Sequence, residues 1–180
     1  MNAMRLMCGC VVMLSAWTLW AAETYYIDDG DADYSELSGS WGSYGADLND
    51  YGNDIRYATA SPASAMWAFT NLTAGKYLVY ASWTTGGTRP AATAYSATDG
   101  IGTFSRSINQ QSFADADMRL EDPGGLDAGN SAWFARLGGS SVHPVTDGTL
   151  DVTVSASGTL IADAVRLEKM PSLGTIFIVK

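Results

Sequence analysis

Hydrophobic and polar residues alternate along most of the chain after residue 23. In "KYLVYASWT" (76–84), Tyr77, Val79, Ala81 and Trp83 fall on one side and Leu78, Tyr80 and Ser82 on the other. "SAMWAFTNL" (64–72) sets Ala65, Trp67 and Phe69 on one face, and "TLDVTVSA" (149–156) does the same with Leu150, Val152 and Val154. "TLIADAVRLE" (159–168) aligns Ile161, Asp163, Val165 and Leu167. A period of two marks a strand with one buried face. Shorter runs at 24–28, 54–59, 92–98, 102–108 and 133–138 read the same way. Turn formers separate them: "NLTAGK", "TTGGTRP", "DPGG" and two "TDG" triplets. No window carries a sustained helical stripe, and residues 115–121 hold one helical turn at most. The pattern predicts an all-β, antiparallel sandwich of about 8–10 strands.

Composition agrees with this. Among 180 residues there are 19 Gly, 9 Tyr and 6 Trp, suited to turns and to half-buried pleated surfaces. The length fits one core. A formal net charge of −9, with no basic stripe, argues against nucleic acid as a partner.

The first 22 residues break the alternation. "MNAMRLMCGCVVMLSAWTLWAA" carries one charge, Arg5, then an apolar run to Leu14 and small residues at Ala21 and Ala22. That is the layout of a secretory signal, with a run too short and interrupted for a membrane span. The expected organisation is a signal peptide at 1–22, a sandwich at 23–169, and a C-terminal extension or extra edge strand at 170–180. A secreted, extracellular or periplasmic protein follows, with no membrane span in the mature chain. Cys8 and Cys10 both lie in the signal, so the mature chain would hold no disulfide and no thiolate metal site.

Much catalytic chemistry is missing from the sequence. The single histidine, His143 in "SSVHPVTDG", reads as a loop residue at a turn. No Gly-x-Ser-x-Gly elbow accompanies it, and a zinc site would need further nitrogen or sulfur ligands. Most carboxylates stand in turn contexts such as "DDGD" and "EDPGG", where Asp favours the turn itself.

Several stretches together resemble the golvesin and xanthan-lyase C-terminal type of carbohydrate-binding domain. They are "YYIDDGDADYS" (25–35), "DIRYA" (54–58), "SAMWAFTNLTAGKYLVYASW" (64–83), "TRPAATAYSATDG" (88–100) and "GTLIADAVRLE" (158–168). Thr88-Arg89-Pro90 stands where the family usually has Asn-Arg-Ala, and an insertion precedes Trp133. The resemblance implies a jelly-roll-like β-sandwich that binds a poly- or oligosaccharide without cleaving it, usually as part of a larger protein. The alternative is a structural or adhesion module of the cell envelope or extracellular matrix whose partners are proteins. A small secreted hydrolase is a third reading.

Sugars stack their C–H faces on aromatic rings and offer hydroxyls to polar groups. Trp67, Phe69, Tyr77, Trp83 and Trp133 read as core by alternation. Trp41, Tyr44 and Tyr51 belong to "GSWGSYGADLNDYGND", read as an irregular loop, and are the candidate stacking platform. Arg56, Tyr57 and Arg89 are the candidate polar contacts. Alternation points Asp163 inward, into a hydrogen-bonded network with Arg56 or Arg89 as partner. Asp29, Asp31 and Asp33 have the opening spacing of a calcium loop. Tyr34 and Ser40 fall where a helix-loop-helix site needs Gly and Glu, which leaves open only a simpler structural calcium site. The favoured reading is a first strand "YYID" followed by a turn.

Overall fold

The computed structural model describes residues 22–45, 50–99, 101–114, 118–121, 131–138 and 142–171. Of the expected signal peptide at 1–22 all but Ala22, and of the expected extension at 170–180 all but its first two residues, lie outside them. The described residues form fourteen strands and no helix, and so none long and apolar enough to cross a membrane. All pairings are antiparallel. One sheet runs β1 (Thr24–Ile27), β14 (Val165–Lys169), β6 (Gly75–Ser82), β10 (Ser131–Leu137), β9 (Met118–Glu121), with β11 (His143–Val145) also on β6. A second runs β2 (Tyr34–Ser38), β5 (Ala63–Phe69), β12 (Leu150–Ala156), β7 (Thr93–Thr98), β8 (Thr103–Ile108). A third, smaller sheet runs β13 (Leu160–Ala162), β4 (Asp54–Ala58), β3 (Trp41–Gly45).

The faces predicted from alternation meet in one core. Trp67, Phe69, Tyr95, Val152 and Val154 from the second sheet join Tyr77, Val79, Ala81, Val165 and Leu167 from the first, with Ile55 and Ile161 from the third. Trp67 and Trp83 are fully buried. The other face of β6 is closed as well: Leu78 and Tyr80 pack with Ala132, Phe134 and Ala164 in a second cluster. The Arg166 guanidinium lies 4.0 Å from the centre of the Tyr80 ring, a cation–π contact at a buried position.

Four short strands, β2, β3, β9 and β11, escape the sequence pattern and one expected run splits in two, so the strand count exceeds the 8–10 expected. β2 starts at Tyr34, inside the stretch read as the turn after "YYID". Residues 118–121 are not a helical turn but strand β9, paired with β10 from Met118 to Glu121. Trp41–Gly45 is not irregular loop but β3, in register with β4. His143 is not on a loop: it is buried in β11, its ring 5.3 Å from that of Phe104 and 3.8 Å from Asp99. Trp133 is half-buried and stacks on Phe113, beside Trp83, rather than entering the main core. Each of these strands is short or lies against another strand's edge, where too few positions alternate to show a period.

The run "TLIADAVRLE" is one strand in pattern and two in space. β13 pairs with β4, the chain bends at Asp163–Ala164, and β14 pairs with β6 and β1. A continuous apolar run thus passes from one sheet to another, as corners of orthogonal sandwiches do.

Candidate functional site

The small sheet carries an open cleft of about 220 Å³ lined by Tyr44, Ile55, Tyr57, Thr59, Arg89 and Thr159. Pairing sets its floor. Tyr57 stands opposite Gly42 across β3 and β4, and Tyr44 opposite Ile55. The Tyr57 ring lies directly over Gly42: a Cβ there would come 2.9 Å from its Cζ and Oη. A side chain at position 42 would lift the ring out of place. Ile55 anchors the base, being 1% exposed, while Tyr44 is 60% exposed and forms a free aromatic wall.

Arg89 reaches the cleft from the loop between β6 and β7. Its N–H donates to Gly86 O (2.9 Å), closing a turn, and Gly86 lies under the arginine side chain. The residues after β8 hold the loop. Gln110 N–H donates to Pro90 O (3.0 Å), and Gln111 Nε2 to Arg89 O (2.9 Å). Gln110 is itself clamped. Its buried amide donates to Ile161 O (2.8 Å) and to the Tyr95 hydroxyl (3.1 Å), and accepts from Ile161 N–H (3.1 Å). One glutamine thus plays the part of a neighbouring strand for β13 and fixes the loop that presents Arg89. Nothing in its sequence context, "SINQQSF", singles it out.

Of the six candidate binding residues, the fold brings Tyr44, Tyr57 and Arg89 together in the cleft. The other three do not line it. Trp41 packs on the core and donates Nε1–H to Ser38 O (2.7 Å). Tyr51 stacks on Tyr26 (5.3 Å, 11°) and meets Phe134 edge-on, and burial pushes its hydroxyl up to about 12. Arg56 donates Nε and Nη2 to Glu36 Oε1 (2.8 and 2.5 Å), which raises it further above its usual value.

Asp163 is fully buried, as expected, but its partners are not arginines. It accepts from the Ser82 hydroxyl and from the Tyr51 backbone N–H (3.1 Å to Oδ1). Its own carbonyl accepts from Trp67 Nε1 (3.2 Å). Burial drives its carboxyl well above the usual carboxylate range. The inward direction came from alternation; the bend at Asp163–Ala164 then turned it toward Ser82 and residue 51.

The three alternating aspartates do not converge. Asp31 and Asp33 are exposed turn residues, and Asp31 Oδ2 caps the turn by accepting from Asp28 N–H (2.8 Å). Asp29 instead meets Asp28 and Asp54, one oxygen of each lying within 4.8 Å of the others.

The family model for the Golvesin C-terminal domain matches residues 25–169. The chain belongs to this family. The golvesin C-terminal domain seen here is similar in fold to part of a Paenibacillus xanthan lyase, at 22% identity and a TM-score of 0.61. That match covers 82% of this chain but only 13% of the lyase. It is also similar, at 13% identity and a TM-score of 0.49, to the CBM35 of Cellvibrio japonicus Abf62, covering 81% of this chain and 92% of that one. No curated sequence matches the chain.

Proposed function

We propose that this golvesin C-terminal domain is a secreted, non-catalytic module that binds a poly- or oligosaccharide in the cleft of the small sheet. The observation that carries the reading is the convergence of Tyr44, Tyr57 and Arg89 on one open cavity. An exposed ring offers a stacking face to sugar C–H groups, and a loop-held guanidinium can fork to vicinal hydroxyls or to a sugar carboxylate. Thr59 and Thr159 add hydroxyls at the rim. The volume lies below the roughly 300–1,000 Å³ of sites that enclose a whole drug-sized ligand, which fits contact with one or two units of a longer chain. None of the six lining residues is a carboxylate, whereas glycoside hydrolysis ordinarily needs a pair. Secretion rests on the signal-like first 22 residues.

A glycan array on the mature chain, followed by calorimetry on the strongest hit, tests the reading. Tyr44→Ala should weaken binding by about 1–2 kcal/mol and Arg89→Ala by a similar amount. An array without hits, together with capture of an envelope or matrix protein, would replace the saccharide by a protein partner. Unchanged affinity in both variants would move the site elsewhere.

A further inference from the structure

A second set of side chains, apart from the cleft, stands at the start of β4. Asp28 and Asp29 follow β1, and Asp54 opens β4; their nearest oxygens share a space less than 4.8 Å across. Asp29 is 5% exposed, and neither of its carboxylate oxygens accepts a hydrogen bond of good geometry. A buried carboxylate without partners is costly enough that proteins normally supply a donor, a counter-charge or a metal. Here the Arg56 backbone N–H only tempers the charge, and the Arg56 guanidinium is turned to Glu36.

The backbone makes room for the cluster. Asp28 Oδ1 accepts from Asp29 N–H (2.9 Å), and Oδ2 lies against Gly52. Gly52 and Asn53 have φ of 78° and 72°, and a Cβ at Gly52 would collide with Asp28 Oδ2. The chain therefore curls left-handed around a carboxylate that any other residue at position 52 would displace.

We propose that Asp28, Asp29 and Asp54 bind a calcium ion. An all-carboxylate set selects a hard cation over zinc or copper. Calcium sits about 2.4 Å from its ligands, so oxygens on opposite sides of it lie up to about 4.8 Å apart. Magnesium, at about 2.1 Å and in a near-ideal octahedron, is served poorly by three carboxylates set on a turn and a strand end. The ion supplies the counter-charge that Arg56, turned to Glu36, gives Asp29 only in part. It also ties the end of β1 to the start of β4, across the loop whose Tyr51 N–H holds Asp163.

Calorimetry and thermal unfolding of the full chain, after chelator treatment and dialysis, test the site with calcium alone. One ion should bind per chain, and Tm should rise by about 5–10 °C at a hundredfold excess over Kd. Magnesium at the same concentration should shift Tm less. Asp54→Asn should fold and lose both the heat signal and the Tm shift. Asp29→Asn should also lose the response, while its ion-free form melts higher than ion-free wild type. Silence of the wild type toward calcium overturns the proposal, and so does calcium binding that Asp54→Asn leaves unchanged. Should Asp29→Asn fail to fold, Asp54→Asn alone decides.

Discussion

Strand β4 begins and ends in opposite surroundings. At its start, Asp50 is fully buried, Tyr51 is stacked between aromatic rings, and Asp29 and Asp54 share a space with Asp28. A few residues on, Tyr57 and Thr59 line an open cleft with Tyr44 exposed beside them. Both ends are rich in tyrosine and polar groups, and in sequence they look alike. The closed end has withdrawn Asp29 and Asp50 from water and half-buries Asp28, Tyr51 and Asp54, so its polar groups depend on partners inside the protein. The open end leaves its groups hydrated, so they are free to exchange water for a ligand. Stability should therefore be concentrated at the first end and recognition at the second.

The largest expected effect is a pH dependence confined to the closed end. Burial first, and then the charges these carboxylates and Asp54 exert on one another, push Asp28 up to about 7 and Asp29 up to about 8 from an ordinary value near 3.8. Asp31, Asp50 and Asp163 also face this group, and Arg56 opposes them in part. The folded state thus retains protons that the unfolded chain gives up above about pH 4. Ion-free protein should lose stability as pH rises from about 4 to about 8. Urea unfolding at a series of pH values in chelator measures this, and a flat profile would erase the contrast.

Next comes Asp163→Ala, which strands the Ser82 hydroxyl and the Tyr51 N–H in the interior. A cost of about 3 kcal/mol is expected. Wild-type stability would mean that these donors find water. Tyr51→Ala should cost about 2 kcal/mol through lost packing on Tyr26 and Phe134, and leave saccharide affinity unchanged. A loss of affinity in that variant would merge the two ends into one site. The smallest effect on stability is expected for Tyr44→Ala, within about 0.5 kcal/mol, because its ring is largely in water. Equilibrium unfolding alongside glycan titration separates that silent change from the loss of binding.

Half of the cleft was legible in the residues. Tyr44, Tyr57 and Arg89 stand out as aromatic or basic groups near turns, and the fold brings these three together. Trp41 and Tyr51 share the same Gly- and Asp-rich stretch with Tyr44 and have the same chemistry, yet both are turned to other work. Composition cannot separate them, because exposure depends on which strand edge each meets. Gln110 gave no signal at all: a buried amide matters only once its acceptors are known, and they lie on distant segments.

The sequence alone determined the strands with a long enough period: β5, β6, β12 and the pair β13–β14, with Trp67, Tyr77 and Trp83 facing inward. Period two is a local property, fixed by successive side chains pointing to opposite faces. It also determined that Asp163 points inward. Tertiary structure decided what such local rules cannot contain. It bent one apolar run at Asp163–Ala164 into two sheets, and paired β3 with β4 so that Tyr57 lies over Gly42. It also gathered Asp28, Asp29 and Asp54 in place of the regularly spaced Asp29, Asp31 and Asp33. Spacing along the chain sets direction, but distance between carboxylates depends on where the turn after β1 meets the loop before β4. That meeting is a property of the packed sandwich.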